Sequence, residues 1–113
     1  MYKIALVEDD TQLRELISRM VSRYGYQVIE MTDFKNILDS LFLENPDVVI
    51  LDINLPYLDG FEICKRFRKK SNVPVIILSA RNNDIEQVMG ILFILTYIDV
   101  SNIINISIRI DMR

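Results

Sequence analysis

The chain has 113 residues, half of them hydrophobic and 26% charged, with a net charge of -3. This is one small domain with enough apolar material for a core, and its acidic balance argues against a generic nucleic-acid binder. There is no His, which removes His-metal sites and His general bases. The single Cys64 excludes an intramolecular disulfide and fits a reducing cytoplasm. No stretch approaches the ~18–20 apolar residues of a membrane span, and the opening MYKIALVEDD reads as a first strand rather than a signal peptide.

Residues 3–8 read as that strand. Asp10 or Thr11 caps the helix after it. Leu13, Leu16, Ile17, Met20, Val21 and Tyr24 then recur at the spacing of one buried helix face. Gly25 stops this helix, and Gln27 to Met31 form a short strand. Asp33 starts a second helix with Phe34, Ile37, Leu38, Leu41 and Phe42 on one face, and Asn45-Pro46-Asp47 ends it. Val48 to Leu51 is apolar throughout and runs into Asp52, the pattern of a strand buried on both faces. Asp59-Gly60 opens a third helix through Lys70, in which Cys64 reads as a core thiol. Pro74 precedes the strand Val75 to Leu78, which ends at Ser79-Ala80-Arg81, and a fourth helix begins near Asn83 or Asp84.

Strand and helix alternate, which predicts an α/β domain with a doubly wound parallel sheet. Open sheets of this kind bind ligands at the carboxyl ends of their strands. Asp52 closes one apolar run and Glu8-Asp9-Asp10 closes another, Ile4 to Val7. Two strand ends delivering acids to one edge point to a divalent cation site. The bland reading of the acidic triplet is a helix N-terminus attracting acids through its dipole, and Asp10 fits that role.

The end of the chain reads differently. Residues 91–113 carry eight Ile and no Lys, Gly or Pro. Apolar residues at about 94–98 offer a fifth strand, but no amphipathic helix follows. Ile104 to Met112 alternates strictly, the pattern of a strand with one buried face. The expected division is a domain over residues 1–98 and an irregular tail over 99–113.

LVEDD, VVILDINLPYLDG and VPVIILSAR, in this order and spacing, resemble the receiver domain of two-component response regulators over residues 2–90. The resemblance implies the flavodoxin-like receiver fold. The wording DINLPYLDGF and SARNNDIEQVMGI is most similar to winged-helix-type transcription regulators of the subgroup that senses peptide antibiotics. It implies that Asp52 accepts a phosphoryl group from a sensor histidine kinase in the cytoplasm. It further implies that Mg2+ is held by Glu8, Asp9, Asp52 and the backbone carbonyl of Asn54, with Asp9 a direct ligand. Ser79 matches the family's switch hydroxyl, and Tyr97 lies near its switch aromatic. Pro56 and Asp59-Gly60 match the loop after the acceptor. Such a domain is a signalling switch rather than a turnover enzyme. A phosphatase of the haloacid-dehalogenase type would need an Asp where this chain has Asn54.

The chain departs from the family after about residue 90. The family's Lys at the end of the fifth strand should fall near residue 100 or 101, where Val100 and Ser101 stand, and the last Lys is Lys70. Arg81 could approach the site or lie solvated in its loop. A shifted or truncated coding sequence, a divergent stand-alone receiver, and a tail that pairs with a second copy are three readings of this end. The competing function is an inert receiver-like domain that associates through the tail. In every reading the chain carries no DNA-binding domain and contacts neither membrane nor nucleic acid.

Overall fold

The computed structural model of the chain describes residues 2–78 and, as backbone, residues 107–110. Strands β1 (Lys3–Val7), β2 (Gln27–Glu30), β3 (Val48–Asp52), β4 (Val75–Leu78) and β5 (Ser107–Ile110) alternate at first with helices α1 (Thr11–Ser22), α2 (Ile37–Glu44) and α3 (Gly60–Arg68). The strands form one sheet in the order β2-β1-β3-β4-β5. Every neighbouring pair is parallel. The chain therefore steps from β1 to one side and then returns across it to the other. The reversal lies between β1 and β3, where a crevice opens at the carboxyl edge.

Side-chain alternation sorts the core into two layers. Ile4 and Leu6 of β1, Val48 and Ile50 of β3, and Ile76 and Leu78 of β4 pack on one face against Leu13, Ile17 and Val21 of α1. Ala5, Val7, Val49, Leu51, Val75 and Ile77 face the other way, against Ile37 and Leu41 of α2 and Ile63, Cys64 and Phe67 of α3. Covering both faces buries all of β3, which is why its sequence is apolar without alternation. Two bonds tie the amino edge too: Asp47 N donates to Lys3 O at 2.7 Å, and Lys3 N to the Asp47 side-chain carboxylate at 2.7 Å.

The elements match the expected order, with shifts at their ends. β1 stops at Val7, so Glu8 begins a loop. Tyr24, expected on the buried face of the first helix, lies in the turn beyond α1 and is exposed. The second helix begins with a 3-10 turn at Phe34–Asn36 because Asp33 makes no capping bond to the backbone. Its carboxylate instead accepts from the Asn36 side chain at 3.4 Å, and an uncapped first turn tightens. Phe42 is partly exposed, with its ring stacked on Phe67 at 5.1 Å. Left-handed Asn45 caps α2, followed by Pro46, which cannot continue a helix. α3 ends at Arg68, and Lys69 and Lys70 close it with short i to i−3 bonds.

The largest difference is in the stretch expected to be an irregular tail. Ser107–Ile110 forms β5 and pairs with β4, Ser107 opposite Val75 and Ile110 opposite Leu78. The alternation seen in the sequence is thus used inside the chain's own sheet. The fourth helix and the strand expected at about 94–98 lie outside the described residues. No helix among the described residues is long and apolar enough to cross a membrane.

Candidate functional site

Register brings the acids together. Val7 of β1 stands opposite Leu51 of β3, so the next residues, Glu8 and Asp52, arrive side by side at the carboxyl edge. Asp52 continues the alternation of Val48 and Ile50, and Glu8 continues that of Ile4 and Leu6. Glu8 is fully buried and Asp52 is 2% exposed, whereas Asp9 is exposed. One carboxylate oxygen from each of the three lies within 4.8 Å of the other two. Like charges this close repel by about 4 kcal/mol per pair at 4 Å and an effective dielectric near 20. A cluster so placed is offset most directly by a cation.

The donor set fits magnesium. Mg2+ takes oxygen ligands at about 2.0–2.1 Å in octahedral geometry, which sets neighbouring and opposite ligand oxygens about 3–4 Å apart. With all three carboxylate oxygens within 4.8 Å of one another, only a slight closure reaches that spacing. All three offer oxygen, and the set contains neither His nor Cys, which softer metals favour. Asn54 is exposed on the bend two residues after Asp52.

Neighbouring residues shape this cluster without joining it. Asp10 is the cap of α1, its carboxylate accepting from Leu13 N at 3.1 Å, so the bland reading holds for this acid. Asp10 N in turn donates to the Glu8 carboxylate at 3.1 Å. Asp59 caps α3 by accepting from Glu62 N at 2.9 Å. The loop between β3 and α3 closes through Gly60 N to Ile53 O at 2.8 Å and Leu58 N to Pro56 O at 2.8 Å. A Cβ on Gly60 would come within 2.9 Å of both the Asp52 carbonyl carbon and Ile53 Cα, and closer still to the Asp52 carbonyl oxygen. The Asp-Gly pair is legible as a turn, but this close approach depends on how α3 packs and has no local signal.

Arg14 also escapes a reading of the sequence. Its guanidinium donates to Glu8 O at 2.9 Å through Nη1 and to the Glu30 carboxylate at 3.0 Å through Nε. Glu30 is sixteen residues away, at the end of another strand, so no motif links the two. Ser79 follows Leu78, which stands opposite Asp52 in register. Ser79, Arg81, Tyr97, Val100 and Ser101 themselves lie outside the described residues.

Buried acids thus stand at the β1 and β3 ends of a 2-1-3-4-5 parallel sheet. Residues 4–93 match the family described as the response regulator receiver domain. The chain belongs to that family. It is similar to the transcriptional regulatory protein YxdJ of Bacillus subtilis, 45% identical over 91 residues that make up 80% of this chain and 40% of that protein. The response regulator protein GraR of Staphylococcus aureus is 40% identical over 88 residues, 78% of this chain and 39% of that one. Among solved structures, the N-terminal domain of the nisin resistance regulator NsrR, a lantibiotic response regulator, superposes with a TM-score of 0.66 at 30% identity. That match covers 81% of this chain and 78% of the other. The chain spans about 40% of the length of the curated relatives it matches. Receivers of two-component systems are phosphorylated on an Asp by histidine kinases, and they are signalling domains.

Proposed function

We propose that Asp52 accepts the phosphoryl group from the phosphohistidine of a sensor histidine kinase, and that Glu8, Asp9, Asp52 and the Asn54 backbone carbonyl hold the Mg2+ this transfer needs. The observation that carries the reading is the convergence of three carboxylates within 4.8 Å at the β1/β3 edge of a receiver domain. An Asp52 carboxylate oxygen attacks phosphorus. An O–P bond forms as the donor's P–N bond breaks, and the electron pair leaves with the imidazole. Phosphoryl transfer gains chiefly from position and charge neutralisation, and Mg2+ supplies the neutralisation when bound. Asp52 is 2% exposed, and the low local dielectric of such a site strengthens the attraction between its carboxylate and a bound cation.

Ser79 is assigned the switch hydroxyl and Tyr97 the switch aromatic, both on sequence position. The domain acts as a cytoplasmic signalling switch with no turnover of its own beyond its phosphorylation and dephosphorylation. In its parent protein it regulates transcription, as the names of its relatives support. Borohydride trapping tests the assignment, because it reduces an aspartyl phosphate to homoserine. After phosphorylation with acetyl phosphate and Mg2+, peptide mapping should find homoserine at position 52. Homoserine at position 9 or 10 instead would overturn the assignment.

A further inference from the structure

Arg14 lies in the first turns of α1, with a side chain only 14% exposed. Its two hydrogen bonds, to Glu8 O at 2.9 Å and to the Glu30 carboxylate at 3.0 Å, join the loop that carries Glu8 and Asp9 to the end of β2. That end is itself fixed, since Met31 N donates to Leu6 O at 2.9 Å. The guanidinium thus spans two anchored points of the sheet edge with a rigid fork.

We propose that Arg14 is a positioning residue for the cation site, holding the Glu8 backbone so that the Glu8 and Asp9 carboxylates converge with Asp52. The inference rests on the reading of the site given above. Two effects of Arg14 oppose each other. A positive charge near a cation site repels the cation, whereas a fixed loop favours ligation. The ion pair with Glu30 decides between them. It offsets the guanidinium charge at 3.0 Å and leaves the geometric hold. Loss of Arg14 therefore weakens Mg2+ binding rather than strengthening it. Residues that orient metal ligands without touching the metal typically change affinity by about tenfold or more when replaced.

Isothermal titration with Mg2+ on wild type, Arg14→Gln and Arg14→Lys, beside urea unfolding in EDTA, tests this. Arg14→Gln should raise the Mg2+ Kd by about tenfold. Arg14→Lys keeps the charge and the helix but cannot reach both acceptors as a fork, so it should resemble Arg14→Gln. Each titration is run at a urea-free concentration where the EDTA curve shows the variant folded. Arg14→Lys carries the test if Arg14→Gln does not fold. A Kd equal to or below that of wild type in either folded variant would overturn the inference, as would a wild-type Kd in Arg14→Lys alone, which would make charge the whole effect. A lower urea midpoint with unchanged Kd would reduce Arg14 to a structural role and overturn it too. Wild type that binds no Mg2+ would remove the site reading and this inference together, an outcome distinct from wild type binding normally and the variants matching it.

Discussion

Gly60 lies directly against the main chain of Asp52, and an added Cβ would stand within 2.9 Å of the Asp52 carbonyl carbon. The first residue of α3 is therefore a spacer that sets how closely that helix approaches the end of β3. The contact is with backbone, which cannot swing aside as a flexible side chain can. Gly60→Ala should destabilise the domain by about 1–3 kcal/mol, the usual cost of overpacking. The better helix propensity of Ala, less than about 1 kcal/mol, does not offset it. Urea unfolding measures the difference, and a variant as stable as wild type would show that α3 shifts freely.

Asp9 and Asp10 are neighbours with separate duties. Asp10 caps α1, so Asp10→Ala should cost about 1 kcal/mol and leave Mg2+ binding measurable. Asp9 is exposed and contributes to the acid cluster. Asp9→Ala should change stability by less than about 0.5 kcal/mol while abolishing saturable Mg2+ binding. Paired denaturation and calorimetry on the two variants distinguish them. The reverse pattern would exchange the roles assigned here.

The three carboxylates repel one another, which makes the empty fold weaker than the loaded one. Mg2+ at tenfold its Kd should stabilise wild type by about 1.4 kcal/mol through mass action, and EDTA should remove that gain. Asp52→Asn deletes one of the like charges. In EDTA it should raise stability, by on the order of 1 kcal/mol once screening and relaxation are allowed for. It should also lose most of the Mg2+-dependent gain. An Asp52→Asn protein less stable than wild type in EDTA would mean that bonds to the carboxylate outweigh the repulsion.

Much of this was legible in the sequence because strands and acids are ordered locally. The apolar run Val48 to Leu51 marks a central strand, and an acid at its end marks the edge of the sheet. The same holds for Ile4 to Val7 and Glu8. What stayed hidden depends on packing between distant residues. Arg14 meets Glu30 only when α1 lies along β2 and β1, and Gly60 meets Asp52 only when α3 docks. Phe42 follows the helical period yet remains partly exposed, because Phe67 covers only part of its ring. The alternation of residues 104–112 was visible, but its partner was not, since period 2 specifies a strand and not which strand it joins. The structure supplies that partner as β4.

On the proposed reading, Asp52 takes up a phosphoryl group in a Mg2+-dependent reaction. Intact mass spectrometry after incubation with acetyl phosphate tests it most directly, with Mg2+ and with EDTA, beside Asp52→Asn. Wild type with Mg2+ should gain a single phosphoryl increment, absent in EDTA and absent in Asp52→Asn. An unmodified, well-folded wild type, or an increment that persists in Asp52→Asn, would contradict it.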